Sequence, residues 1–131
     1  MTERTKILIV DDEEDFCYFI KLNLENTNKF EVSISTTAEK GIELAKKNKP
    51  DLILLDVIMP VMDGTVVAQH LLDDMSTKNI PIIYLTAIAR KRDVAAYDGV
   101  IGGRHFIAKP VTPDELIARI GSVLKIAQGE T

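Results

Sequence analysis

Acidic, hydroxyl and basic side chains stand at the ends of successive apolar runs in this chain. Asp11 and Asp12 follow Ile7-Leu8-Ile9-Val10, and Asp56 follows Leu52-Ile53-Leu54-Leu55. Thr86 follows Ile82-Ile83-Tyr84-Leu85, Lys109 follows a short run near His105 to Ala108, and Ser35 and Thr36 close a further run. Carboxylates gathered in one crevice repel one another unless a cation sits among them. A few hard oxygen donors with room left for water suit Mg²⁺. The two histidines and single cysteine show no zinc-ligand spacing. A carboxylate held beside such a cation can attack phosphorus and become an aspartyl phosphate. A lysine and a hydroxyl can help neutralise the equatorial oxygens during the transfer.

That chemistry requires the run ends to meet. Ile7 to Val10 and Leu52 to Leu55 are continuous branched runs, the pattern of strands buried on both faces. Val32 to Ser35 alternates as a strand, and Pro81 opens the strand Ile82 to Leu85. Helices are expected over Asp15 to Asn26, with Phe16, Ile20 and Leu24 on one stripe, and through Ala38, Ile42 and Ala45, with a break at Pro50. Further helices are expected over Gly64 to Met75, near Arg90 to Tyr97, and from Pro113 onward with Thr112 as N-cap. Five strands alternating with five helices imply an α/β fold: a doubly wound parallel sheet with helices on both faces. In such sheets the functional crevice lies outside the carboxyl ends of the strands.

Each residue taken singly also fits a structural role. Asp11-Asp12-Glu13-Glu14 is an acidic run at a helix start, where the helix dipole favours negative charge. Glu13 and Glu14 are read as solvated acids. Asp56 fits a helix cap or turn, Thr86 a strand end, and Lys109 a surface position. Their joint occurrence at successive strand ends favours a single site.

The chain has 131 residues, 46% hydrophobic and 27% charged, with a net charge of −4. This suits one compact domain, read as residues 1–127 with a tail at 128–131, and gives no overall bias toward nucleic acid or an anionic membrane. A lone cysteine, Cys17, excludes an intrachain disulfide. No apolar run reaches the roughly 18 residues needed to span a bilayer, and no signal-peptide pattern opens the chain. A cytoplasmic protein is expected.

The motifs together resemble the response-regulator receiver domain of two-component signalling, from Ile7 to about Ile126. They are Ile7 to Glu13, Asp51 to Gly64 (Asp-Leu-Ile-Leu-Leu-Asp-Val-Ile-Met-Pro-Val-Met-Asp-Gly), Pro81 to Ala87, and Phe106-Ile107-Ala108-Lys109-Pro110. The resemblance implies a flavodoxin-like five-stranded sheet in the order 2-1-3-4-5. It implies that Asp56 is the phosphoacceptor. Asp12, Asp56 and the backbone carbonyl of Ile58 would bind Mg²⁺ directly, and Asp11 would bind it through water. Thr86 would bond the phosphoryl group, Lys109 would pair with it, and Phe106 would turn inward as a switch. Pro60 and Gly64 would shape the loop after Asp56, and a cis Pro110 would aim Lys109 into the site. The implied partners are a histidine kinase or histidine phosphotransfer protein upstream and a protein downstream. That downstream protein would read the surface of the fourth helix, last strand and last helix. The assembly would be a monomer or a phosphorylation-dependent dimer. No nucleic-acid-binding module follows the last helix, so direct nucleic-acid binding is not expected, nor is membrane binding. The chain would act as a switch, catalysing only its own phosphorylation and dephosphorylation.

Some positions depart from the pattern or vary within it. Ile58 and Ile88, both apolar, flank the expected path of an attacking water and imply slow self-dephosphorylation. Phe106 lacks the hydroxyl of the tyrosine often found at that position, and also fits a permanently buried core aromatic. The glycine-rich stretch Asp98 to Arg104 reads as a flexible connector, and Arg90-Lys91-Arg92 as a solvated helix face. His70 and His105 read as structural or surface residues, and Cys17 as partly buried. A Mg²⁺-dependent phosphatase with an aspartyl nucleophile would want an acid where Ile58 stands. A flavin carrier would want a hydroxyl- and glycine-rich cradle after Val10, where the chain is acidic.

Overall fold

The apolar runs become the inner strands of one twisted sheet. The computed structural model describes residues 4–59, 61–87, 100–101 and 104–127. Its strands are β1 (Thr5–Val10), β2 (Phe30–Ser35), β3 (Leu52–Asp56), β4 (Ile82–Thr86), β5 (Val100–Ile101) and β6 (Arg104–Ala108). Its helices are α1 (Glu14–Glu25), α2 (Ala38–Asn48), α3 (Gly64–Leu72) and α4 (Pro113–Ala127). The strand order is β2-β1-β3-β4-β6-β5. The five long strands are parallel and stand in the expected 2-1-3-4-5 arrangement, with β6 as the fifth.

The glycine-rich stretch is not only a connector: it contributes β5, which pairs antiparallel with β6, Val100 opposite His105 and Ile101 opposite Arg104. Two residues are too few to show a period in sequence, and the pairing with β6 creates the strand. The helix expected near Arg90 to Tyr97, together with Pro60 and Ile88, lies outside the described residues.

Alternation along each strand divides the interior into two cores. Ile7, Ile9, Leu52, Leu54, Ile83, Leu85 and Ile107 face α1 and α4, where Cys17, Ile20, Leu24, Leu116, Ile120 and Val123 complete one core. Leu8, Val10, Ile53, Leu55 and Tyr84 face α2 and α3, packing with Ala45, Val67, Ala68 and Leu71. The central strands are buried on both faces, which explains why their sequences lack a polar phase. Residues this rigidly packed can hold a strand-end side chain in place.

Local signals set the helix ends. The Thr37 hydroxyl accepts from Lys40 N–H at the start of α2. The Thr112 hydroxyl accepts from Glu115 N–H at 3.1 Å, as expected for an N-cap ahead of Pro113. Helix α3 stops at Leu72 rather than Met75. The buried Thr77 hydroxyl donates to the Leu71 carbonyl at 2.6 Å, and the Asp74 carboxylate takes Ser76 N–H, folding the chain into a turn. At the β2 edge, the Val32 N–H donates to Glu25 and the Val32 carbonyl accepts from Lys21, so α1 covers exposed strand groups.

Candidate functional site

The sheet ladder runs one residue past the strands that carry the charged groups. Asp11 N–H donates to the Ser35 carbonyl at 3.0 Å, Val57 N–H to the Leu85 carbonyl at 3.0 Å, and Lys109 N–H to the Thr86 carbonyl at 2.8 Å. Alternation therefore sends Asp11, Asp56 and Lys109 to the same side as Ile9, Leu54 and Ile107, toward α1 and α4. Thr86, two residues after Tyr84, shares the other side with Tyr84 and Phe106. The Lys109–Pro110 peptide is cis.

Asp11, Asp12 and Asp56 each bring a carboxylate oxygen to within 4.8 Å of the others. Asp11 and Asp56 are buried and Asp12 is exposed, so the cluster opens to solvent on one side. Lys109 Nζ lies 2.7 Å from Asp11 Oδ2 and 3.9 Å from Asp56 Oδ2. Burial, and then the charge of Asp11, push the Asp56 carboxyl up to about 6, against the opposing effect of Lys109. Burial also raises Asp11, with Lys109 pulling the other way. Burial disfavours charge on Lys109, but its bonds to Asp11 and Glu13 hold it above the ordinary lysine range.

The donor set fits a hard divalent cation such as Mg²⁺. All three side chains offer carboxylate oxygen, and one face stays open for water. Asp11 Oδ2 is buried, with the Lys109 ammonium 2.7 Å away as its counter-charge. An added positive charge would offset the repulsion that raises Asp56.

The loop after Asp56 is fixed by backbone bonds. Ile58 N–H reaches back to Asp56 Oδ1 at 3.4 Å, and Gly64 N–H donates to the Val57 carbonyl at 2.8 Å. Asp63 caps α3 by accepting from Thr65 and Val66 N–H. The Ile58 side chain is exposed. Phe106 is not part of the carboxylate cluster: it is half-buried and stacks on Tyr84, with ring centroids 5.1 Å apart.

Three participants were not identified from sequence. Glu13, read as a solvated acid, is exposed, yet its Oε1 accepts from Lys109 Nζ at 2.9 Å. The Phe16 ring lies under the same ammonium, with its centroid 4.6 Å from Nζ, a cation–π contact. Cys17 is fully buried rather than partly, donates to the Asp11 carbonyl at 3.3 Å, and is pushed up to about 12 by burial and the charge of Asp11. That thiol is a packing group, without nucleophilic character. The acidic run hints at Glu13, but its partner is 96 residues away in the chain, beyond the reach of local pattern.

Comparison with known proteins shows the family and the fold. The family model for the response regulator receiver domain matches residues 7–121. The chain is 39% identical over 122 residues to the response regulator ArlR of Staphylococcus saprophyticus, covering 92% of this chain and 53% of that protein. It is 35% identical over 121 residues to the alkaline phosphatase synthesis transcriptional regulatory protein PhoP of Bacillus subtilis, covering 92% and 48%. The chain thus spans about half the length of these relatives. Among solved structures it resembles the Vibrio cholerae chemotaxis protein CheY4, with a TM-score of 0.78 and 25% identity, covering 92% and 99% of the two chains. No described helix is long and apolar enough to cross a membrane. From its fold, the register of its strand-end residues and these matches, the chain belongs to the response regulator receiver domain family of two-component signalling.

Proposed function

We propose that the chain receives a phosphoryl group on Asp56 from the phosphohistidine of a kinase or phosphotransfer protein. The observation that carries this reading is the buried Asp56 carboxylate, pushed up to about 6 and set among Asp11, Asp12 and Lys109. Asp11, Asp12 and Asp56 would hold Mg²⁺, with the Ile58 carbonyl completing the protein donors. When bound, that ion supplies positive charge to the carboxylates and to the phosphoryl oxygens. Asp56 provides the attacking oxygen. The new bond is O–P, the bond broken is the donor's P–N bond, and its electron pair returns to the imidazole nitrogen. Lys109 offsets charge on one equatorial oxygen and Thr86 donates to another.

The transfer adds about −1.5 to −2 charge and new acceptor oxygens beside Lys109 and Thr86. Movement of Thr86 toward that charge opens space on the side it shares with Phe106. The Phe106 ring, stacked but half-buried, can then turn inward. The surface of β6 and α4 changes with it, and a downstream protein that prefers the new shape shifts the equilibrium.

Incubation with acetyl phosphate and Mg²⁺, followed by intact mass measurement, tests the reading. A phosphate-sized gain is expected in the wild type, absent with a chelator and absent in Asp56→Ala. An equal gain in Asp56→Ala would refute it.

A further inference from the structure

The Lys109 ammonium is held back from Asp56 by the segment that precedes and begins α1. Asp11 Oδ2 is 2.7 Å away, Glu13 Oε1 2.9 Å, and the Phe16 ring centroid 4.6 Å, whereas Asp56 Oδ2 is 3.9 Å away. The cradle is preset. Glu13 N–H donates to Asp11 Oδ1 at 2.9 Å, and the Glu13 carbonyl accepts from Cys17 N–H at 3.1 Å, which starts the helix. Both bonds fix the backbone from which the Glu13 side chain reaches Lys109.

The two carboxylates differ in what release would cost. Asp11 is fully buried, and losing Lys109 would leave a buried charge without its counter-charge. Glu13 has 63% of its side chain exposed, so water can replace the lysine at once. Glu13 is therefore the partner that Lys109 can leave when a stronger anion forms at Asp56.

We propose that Glu13 is a positioning residue: its carboxylate latches Lys109 in the resting state and competes with a phosphoryl group on Asp56 for that ammonium. This deepens the phosphoacceptor reading and rests on it. Removing the charge of Glu13 frees Lys109 and removes a repulsion on the incoming anion, so both effects favour the phosphorylated arrangement. An ion pair this exposed corresponds to about a two- to fivefold change in an equilibrium constant.

The test uses beryllofluoride, a phosphoryl mimic, titrated with Mg²⁺ into wild type, Glu13→Gln and Asp56→Ala, followed by nuclear magnetic resonance. Glu13→Gln is expected to bind about two- to fivefold more tightly than wild type at low salt, and the difference should shrink toward zero near 1 M salt. A role in folding alone would not produce that salt-dependent convergence. Equal or weaker binding by Glu13→Gln at low salt overturns the latch while leaving Asp56 as phosphoacceptor. Failure of the wild type to bind, or binding retained in Asp56→Ala, overturns the phosphoacceptor reading and the latch with it.

Discussion

Gly64 presses its α-carbon against the backbone of Asp56. A β-carbon built at Gly64 would overlap the Asp56 carbonyl oxygen and lie 3.0 Å from the Asp56 carbonyl carbon and the Val57 α-carbon. The obstacle is backbone, which cannot turn aside as a flexible side chain could. Gly64→Ala should therefore displace the loop after Asp56, with a loss of about 1–3 kcal/mol in stability and slower phosphorylation by acetyl phosphate. Gly121→Ala is the matched control. It lies in α4 with nothing within 4 Å of an added β-carbon, and should raise stability by about 0.5–1 kcal/mol. Chemical denaturation of both variants checks the pair.

Lys109 is the cation adjoining the three-carboxylate cluster among the described residues. Lys109→Ala should slow phosphorylation by acetyl phosphate by about a hundredfold, the scale seen when one charge-stabilising donor is removed from a site. The variant should melt at a lower temperature, because buried Asp11 loses its counter-charge. The rate of mass gain and the melting temperature check this.

Val61 has φ of 71° and a fully exposed side chain. A β-branched residue in the left-handed region is strained, and no burial offsets the strain here. Val61→Gly should stabilise the fold by about 0.5–1 kcal/mol, the left-handed penalty less the entropy that glycine adds to the unfolded chain. Urea denaturation with unchanged slope is the measurement.

His105 faces the α1/α4 side on β6, and its affinity for a proton falls below the ordinary histidine range through burial and then the charge of Arg119. The unfolded chain therefore binds this proton more tightly than the folded one. Its contribution to stability is complete above about pH 6.5 and declines as pH falls toward the lower folded value. Asp56 works in the opposite direction, since its carboxyl is raised, so comparison with a variant is needed to isolate the histidine. Lowering pH from 7.5 to 5.5 should cost the wild type more stability than His105→Gln. Denaturation midpoints of both proteins at the two pH values decide it.

Much of this site could be read from sequence because each inner strand is a short unbroken apolar run that ends on a chemical group. Val10 gives way to Asp11, Leu55 to Asp56 and Leu85 to Thr86, and parallel pairing then places those ends along one edge. What could not be read depends on tertiary geometry. Glu13 has the exposure expected of a solvated acid, but one of its oxygens meets a lysine from the far end of the chain. Strand β5 exists because β6 pairs with it, and α3 stops early because Thr77 folds back onto Leu71. None of these leaves a local period.

The central claim is that Asp56 itself carries the phosphoryl group. Borohydride reduction of protein treated with acetyl phosphate and Mg²⁺, followed by peptide mass mapping, tests this most directly, since an acyl phosphate is reduced to the alcohol. The expected result is conversion of Asp56 alone to homoserine. Conversion at Asp12 or Glu13 instead, or a phosphate-sized mass gain that leaves Asp56 unreduced, would contradict the account.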